Sequence, residues 1–279
     1  MAKELYDLLP RELKVFAQLF QTLTHRHPEY ELWNDFLEII ICSYARQQME
    51  DRYLQIIKKY RKEEVGILVK MFAEMVKLYS ERLMHGAFYD GLGAFYESVI
   101  NTPSKAGRTG QFFTPENVCA MMAKCMLSED SANKQLKIND PACGSGRMLL
   151  AAHAVAPGNY YFAEDLDPMG CLLTSVNFLF HNMEGQVVCH NSLNPTDQTY
   201  RFGYEIKRLS AALPIPVIRS IPREQSFACQ VADAWLHQQL AKNEAGKQQP
   251  TGSATNPNHL PKQPQKEPQK KQTPQMSLF

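Results

Sequence analysis

The sequence predicts an α/β protein with an N-terminal helical domain, a partial parallel sheet and a disordered C-terminal tail. Apolar residues recur at helical spacing through the first 100 residues. Beyond them, short apolar strands alternate with helical segments. From residue 241 onward the chain is rich in Gln, Lys, Pro and Asn and nearly free of large apolar residues. We therefore expect a helical domain over 1–104, a sheet-containing domain over 105–240 and a disordered tail over 241–279.

Length and composition set the broad class. A chain of 279 residues can form one large or two modest domains with a sizeable core. No apolar run approaches the roughly 18 residues that cross a membrane, and the N-terminus lacks a secretory segment, so we expect a cytoplasmic protein. The seven cysteines form no C-x-x-C pair and are odd in number, which argues against a disulfide framework and a metal site.

Charge is unevenly distributed along the chain. The net charge is +1, but the six lysines and two glutamates after residue 240 give the tail a charge of +4, which leaves −3 for the remainder. The folded part therefore lacks the overall positive charge that is typical of a DNA-binding domain. Any contact with duplex DNA there needs a local patch or a partner subunit.

The helical domain is predicted from apolar stripes. Leu13, Phe16, Ala17 and Phe20 follow helical spacing, and a second stripe runs from Leu32 to Ile40. The clearest stripe comprises Val65, Leu68, Val69, Phe72, Met75, Val76 and Tyr79. By themselves these stripes indicate only a helical bundle.

The sheet is predicted from three short strands, at 136–140, 160–163 and 186–190. Helices are expected between them, one beginning near Arg147 and one at Asp167-Pro168, an N-cap followed by a first-turn proline. This alternation is typical of a parallel, doubly wound sheet. After residue 200 the signal weakens: 213–221 could form an edge strand, because of its prolines, and 231–240 a short helix.

A glycine turn follows the first strand, in the segment Asp140-Pro-Ala-Cys-Gly-Ser-Gly146. Glycines there allow a ligand to approach the backbone above a helix N-terminus. Leu149 stands where a dinucleotide fingerprint needs its third glycine, and no Gly-Lys-Ser/Thr follows. These departures favour a ligand with a ribose but no phosphate. Asp165, just past the second strand, is placed to accept hydrogen bonds from ribose hydroxyls.

These residues resemble the motifs of N6-adenine-specific DNA methyltransferases, most closely the modification subunit of type I restriction systems. The glycine turn is similar to the first motif of that family, and Asp165-Leu166-Asp167-Pro168 to the second. Gly110-Gln-Phe-Phe-Thr-Pro115 is similar to an upstream segment that contacts the methionine part of S-adenosylmethionine. Asn191-Ser192-Leu193 is similar to the third motif. The resemblance covers about 90–195 well and 1–90 loosely.

The resemblance implies a Rossmann-like, S-adenosylmethionine-binding domain and a set of cofactor-binding residues. That set is Gln111, Phe112, Thr114, Pro115, Asp140, Ala142, Gly144, Gly146, Asp165, Leu166, Asn191 and Ser192. Asn191 departs from the family's acid, but an amide can still pair with an adenine edge. Cys143 is interpreted as a small residue packed in the turn, and Thr114 as the N-cap of the helix that Pro115 opens.

The family's catalytic segment, Asn/Asp-Pro-Pro-Phe/Tyr after a fourth strand, has no clear counterpart. Asn194-Pro195 is a weak candidate that lacks the second proline and the aromatic residue, and it is better interpreted as a turn. The family's later strands and its target-recognition region also lack counterparts, as if the chain were truncated after the cofactor half.

Two functions of different classes remain open. The first is an adenine-specific DNA methyltransferase of a restriction-modification or mobile-element system, diverged or completed by a second chain. The resemblance implies DNA and a specificity subunit as its partners. The second is a catalytically silent, cofactor-binding adaptor associated with DNA. A dinucleotide-dependent dehydrogenase is disfavoured by Leu149.

The last five residues, Gln275-Met-Ser-Leu-Phe279, resemble the pentapeptide that binds the bacterial sliding clamp. In that motif a glutamine (Gln275 here) bonds at the rim of a groove, and a Leu-Phe pair (Leu278 and Phe279) fills its apolar pocket. A lysine-rich, disordered tether would present the peptide close to DNA phosphates. Three fixed positions match by chance in roughly one of several thousand pentapeptides, so the motif is a hypothesis.

Overall fold

The computed structural model describes residues 9–85, 88–101, 113–194, 197–210 and 212–247. Several residues of the predicted sites lie outside these ranges. They are Gln111 and Phe112 of the upstream segment, Pro195 of the catalytic candidate, and Gln275, Leu278 and Phe279 of the C-terminal peptide. Within the described ranges no helix is both long and apolar enough to cross a membrane.

The N-terminal layer is helical, as the stripes predict. Its helices are α1 (Lys14–Leu23), α2 (Glu29–Tyr44), α3 (Glu50–Ile57), α4 (Lys62–His85) and α5 (Gly91–Phe95), which continues into a π-helical turn over Tyr96–Ile100. The core of this layer contains an aromatic cluster, in which Phe16 and Trp33 each pack against Phe95. On α4, Val69 and Val76 are exposed, because the buried stripe is centred one residue earlier, on Leu68 and Met75.

The second layer is a five-stranded mixed sheet in the order β1-β2-β3-β4-β5. Its strands are β1 (Lys137–Asp140), β2 (Tyr160–Asp165), β3 (Glu184–Cys189), β4 (Phe202–Arg208) and β5 (Pro216–Ile221). The first three are parallel, as predicted, and β4 and β5 add an antiparallel hairpin beside β3. Within the described part of the chain, β1 pairs only with β2, so the β1 edge is open.

Helices cover both faces of this sheet, although the two sides are covered unequally. These helices are α6 (Glu116–Met126), α7 (Arg147–Val155), α8 (Pro168–Phe180) and α9 (Phe227–Lys247). The helix α8 packs between the sheet and α2, while α9 contacts β2 from the other side. Asp167 caps α8 by accepting from the Gly170 N–H at 3.0 Å, and Pro168 opens the helix, as the sequence predicts.

The structure differs from the sequence prediction in two places near the C-terminus. The strand β4 was not anticipated, because its central residue, Glu205, is a carboxylate in a buried position. Two cations compensate that charge: Arg219 lies 2.6 Å from Glu205, and Lys207 lies 3.0 Å from it. The last helix was placed at 231–240, but α9 begins at Phe227 and continues to Lys247, seven residues into the segment predicted to be disordered.

Candidate functional site at the strand ends

The glycine turn joins β1 to α7 at the carboxyl end of the parallel strands. Gly146 is the N-cap of α7 and has φ +82°, and Gly144 has φ +54°; both angles lie in the left-handed region that favours glycine. A side chain on Gly144 would meet the ring of Phe113 at 2.8 Å, and one on Gly146 would meet Thr174 at 2.9 Å. The two glycines thus let the turn pack closely between the upstream segment and α8.

Asp165 ends β2 directly beside this turn. Its carboxylate accepts the Gly144 N–H at 2.7 Å on one oxygen and the Asp167 N–H at 2.9 Å on the other. Burial raises the pKa of Asp165, and these backbone hydrogen bonds oppose that rise. A carboxylate offers about four lone pairs, so each oxygen can accept one further hydrogen bond. Asp165 can therefore hold the turn and still receive two hydroxyl groups.

The segment after β3 closes the same end of the sheet. The Ser192 hydroxyl donates to the Pro141 carbonyl at 2.9 Å, and the His190 N–H donates to the Asp165 carbonyl at 2.9 Å. The Asn191 side chain accepts from the Leu193 N–H at 3.1 Å, which leaves its amide N–H₂ available to a ligand. The third motif thus lies against the first.

The upstream segment reaches the turn from the helical layer. Phe113 packs beside Gly144, and the Thr114 carbonyl accepts a hydrogen bond of 3.1 Å from the Arg147 side chain. The N-cap of α6 is Pro115 rather than the predicted Thr114, and the helix begins at Glu116. The first helical hydrogen bonds, from the Val118 and Cys119 N–H groups, end on the Pro115 carbonyl, whereas the Thr114 carbonyl accepts from the Arg147 side chain.

The cleft is acidic. Burial raises the pKa of Asp140 to about 6, the Ala142 N–H lowers it, and the nearby charge of Asp165 raises it further. The charge of Asp167 likewise raises the pKa of Asp165. Carboxylates that raise one another's pKa lie close together and make the site negatively charged. Such a site favours a cationic ligand and disfavours a pyrophosphate.

The other predicted residues occupy simpler positions. Ala142 and Leu166 are exposed on loops at the cleft, and Cys143 is buried in the turn, where Thr174 donates to its sulfur at 3.4 Å. Asn194 is exposed in a turn, since its N–H bonds the Asn191 carbonyl and its own carbonyl accepts from Thr199. This geometry agrees with the interpretation of that segment as a turn.

Sequence reasoning missed two residues that support the site, Asp90 and Arg147. Asp90 is fully buried and accepts hydrogen bonds from Ser145 at 2.6 Å, Arg147 at 2.8 Å and Asn177 at 2.8 Å. The only signal in the sequence was an aspartate before Gly-Leu-Gly, where it caps α5. Its partners lie more than 50 residues away along the chain, and only the fold brings them together.

The part of the chain that contains these residues is similar to known proteins. Residues 87–206 match the N-6 DNA Methylase family. Two methylase subunits of type I restriction enzymes from Methanocaldococcus jannaschii are similar: MjaVIII is 30% identical over 135 residues, and MjaVII is 25% identical over 120 residues. These alignments cover 45% and 40% of this chain but only 22% and 20% of the relatives, so they span about a fifth of the relatives' length.

A methyltransferase subunit of a type I restriction-modification system from Streptococcus thermophilus is a structural neighbour. It is 17% identical, covers 66% of this chain and 57% of its own, and has a TM-score of 0.33, which does not establish a common fold. The family match and the two sequence relatives nevertheless agree with the motifs. This region is similar to N-6 DNA methylases and to the methylase subunits of type I restriction enzymes.

Proposed function

We propose, from the similarity of residues 87–206 to N-6 DNA methylases, that this protein binds S-adenosylmethionine and serves adenine-specific DNA methylation in a restriction-modification or mobile-element system. One observation carries the proposal. The second motif contacts the first through the 2.7 Å hydrogen bond from the Gly144 N–H to Asp165, and the upstream segment packs on the same turn.

The chemistry of the cleft suits this cofactor. Asp165 would receive the ribose hydroxyls, Asn191 an edge of the adenine, and the Thr114 segment the methionine part. The carboxylates Asp140 and Asp167 would favour the cationic ammonium and sulfonium groups. When bound, S-adenosylmethionine supplies an electrophilic methyl group to the acceptor amine. The chain itself would bind the cofactor and orient its methyl group.

Asn194 and Pro195 are the candidate catalytic residues in this chain, and the exposed turn at Asn194 offers no aromatic residue in the matching position. We therefore propose that a second chain carries the catalytic segment. The open edge of β1 supports this, because its outward-facing backbone groups could pair with a strand from that partner beside the glycine turn.

DNA and a specificity subunit are the further partners we propose, since the relatives are methylase subunits of type I restriction enzymes. Nothing in the comparisons favours the alternative of a catalytically silent adaptor. Methyl transfer from labelled cofactor to DNA, measured with the protein alone and with the candidate partner chains, separates the two. Labelled N6-methyladenine in the DNA supports the enzyme, and binding of cofactor without any transfer in all mixtures supports the adaptor.

Cofactor binding is tested by calorimetric titration with S-adenosylmethionine. We expect Asp165→Asn to weaken binding by about tenfold or more, because the neutral amide loses charged hydrogen bonds to the ribose. Asp51→Asn, on the exposed face of α3, is the control and should bind like the wild type. A wild-type protein that does not bind the cofactor would overturn the proposal.

The C-terminal pentapeptide supports a further partner. We propose that Gln275, Leu278 and Phe279 bind the bacterial sliding clamp, on the strength of the sequence match. Purified clamp should retain the wild-type chain but not the double variant Leu278→Ala/Phe279→Ala. Equal retention of both would contradict this.

A further inference from the structure

Arg147, the first residue of α7, lies in a buried network between the helical layer and the glycine turn. Its side chain is only 8% exposed. Three of its nitrogens donate in three directions: Nε to Asp90 at 2.8 Å, Nη1 to the Thr114 carbonyl at 3.1 Å, and Nη2 to Glu97 at 3.1 Å. One guanidinium thus joins α5, the π-helical turn and the upstream segment.

The same upstream segment is held at a second point. The Phe113 N–H donates to Glu97 Oε1 at 3.1 Å. The Phe113 ring stacks on Tyr96 with 5.9 Å between centroids, and the Arg147 guanidinium lies 5.6 Å from the Phe113 ring. Because that ring also fills the space beside Gly144, any shift of the segment would change the wall of the cleft.

We propose that Arg147 is a positioning residue for the cofactor, which fixes the Phe113–Thr114 segment over the glycine turn, with Asp90 and Glu97 of the helical layer as its anchors. The inference rests on the proposed function of the cleft. It adds that the helical layer forms part of the cofactor site. The planar guanidinium is essential to this role, because a lysine ammonium cannot satisfy three acceptors in these directions.

A purely structural role makes a different prediction. Arg147 also neutralises Asp90, which is fully buried, and a buried carboxylate without a cation is destabilising. Loss of this charge neutralisation would disturb the entire cleft. Loss of positioning would instead affect only the part of the ligand that faces Phe113 and Thr114. The two roles are separated by ligands that contain or lack the methionine part.

The experiment compares the wild type with Arg147→Lys, which retains a cation for Asp90. Binding of S-adenosylmethionine and of methylthioadenosine, which keeps the adenine and ribose but lacks the amino-acid part, is measured by calorimetry or by competition. We expect S-adenosylmethionine to bind about tenfold more weakly to the variant and methylthioadenosine to bind unchanged. Arg223→Lys is the matched control: Arg223 is 14% exposed and forms its ion pair with Asp233 of α9 rather than with the residues that hold the Phe113–Thr114 segment, so both affinities should stay constant.

Glu97→Gln provides an independent variant, since it retains an acceptor for the Phe113 N–H but loses the charge that holds Arg147. It should show the same selective loss, which keeps the test decisive if Arg147→Lys fails to fold. Equal weakening of both ligands, or unchanged affinity for S-adenosylmethionine in a folded variant, overturns the positioning role. A wild type that binds methylthioadenosine but not S-adenosylmethionine also overturns it. A wild type that binds neither ligand removes the proposed function itself.

Discussion

Gly146 shows how a single residue shapes the turn. Its φ of +82° lies where an L side chain is strained by about 1–2 kcal/mol. A β-carbon there would also approach the Thr174 methyl group at 2.9 Å, and Thr174 is buried and hydrogen-bonded to the Gly144 carbonyl. Neither the backbone nor the neighbouring side chain can therefore relax cheaply.

We expect Gly146→Ala to lower the free energy of unfolding by roughly 2–4 kcal/mol, since backbone strain and overpacking add. Urea titration followed by circular dichroism measures the change. Gly66→Ala is the matched control, because Gly66 lies exposed in α4 with no atom within 4 Å of the added carbon. That substitution should stabilise the protein by about 0.5–1 kcal/mol. Equal effects of the two variants would contradict the role given to the left-handed turn.

At the scale of elements, a buried polar chain connects β2, the end of β3 and α9. His190 Nε2 lies 2.6 Å from Glu164, and His190 Nδ1 lies 3.8 Å from the Cys229 sulfur. Asn139 of β1 donates to the other Glu164 oxygen at 2.9 Å. Burial lowers the pKa of His190, but the hydrogen bonds with Cys229 and Glu164 and the charge of Glu164 outweigh it and raise the pKa to about 9. The imidazolium–carboxylate pair of His190 and Glu164 thus joins the end of β3 to β2, and Cys229 connects α9 to this pair.

This pair predicts a definite pH dependence of stability. A histidine pKa raised from 6.5 to about 9 contributes stability that is fully present below pH 6.5 and is lost as the pH rises through about 9. We expect the stability advantage of the wild type over His190→Gln to fall by an amount on the order of 3 kcal/mol between pH 6 and pH 9.5. Urea unfolding at several pH values measures it. The buried His153 and His181, whose pKa values burial lowers to about 4, stay neutral in this window.

Glu164→Gln is the companion variant for this prediction. It retains a hydrogen-bond acceptor for His190 but removes the negative charge, so its stability should vary much less between pH 6 and pH 9.5 than that of the wild type. A wild type and a Glu164→Gln variant with parallel pH profiles would show that the ion pair does not stabilise the fold.

At the scale of the whole molecule, the helical layer and the sheet share one core. The buried apolar residues form a continuous cluster from Leu13 of the first helical turn to Ile218 of β5. Polar contacts cross the same boundary: the Tyr79 hydroxyl donates to Asn177 at 2.6 Å, and Asn177 donates to Asp90 at 2.8 Å. The sequence predicted two domains here, with a boundary at residue 104.

We predict that the two layers unfold in a single cooperative step, because separating them would expose this core and the buried charge of Asp90. Pulsed thiol labelling across a urea series, resolved by peptide mass spectrometry, reports both layers at once. Cys42 in α2 and Cys189 in β3 are buried and should become reactive at the same urea concentration. Cys125 is exposed and should react throughout, as the internal control. Separate midpoints for Cys42 and Cys189 would instead establish two independent domains.

Local patterns explain which features could be predicted in advance. The turn at Gly144 and Gly146, the cap at Asp167-Pro168 and the three parallel strands follow from neighbouring residues, since glycine conformation, capping and strand burial are short-range effects. The strand β4 could not be predicted, because the charge of the buried Glu205 is compensated in part by Arg219, which only the fold brings in from the adjacent strand. The end of α9 could not be predicted either, since its sequence lacks a strong apolar stripe.

The sequence alone therefore determined the three parallel strands with the helices between them, the glycine turn and the acid at Asp165, because each depends on residues close together in the chain. The tertiary structure decided what surrounds them: the antiparallel hairpin, the open edge of β1 and the network of Asp90, Glu97 and Arg147. Such contacts join residues about 50 positions apart, and a charge becomes favourable in the interior only when the fold supplies its partner. No local pattern contains that information.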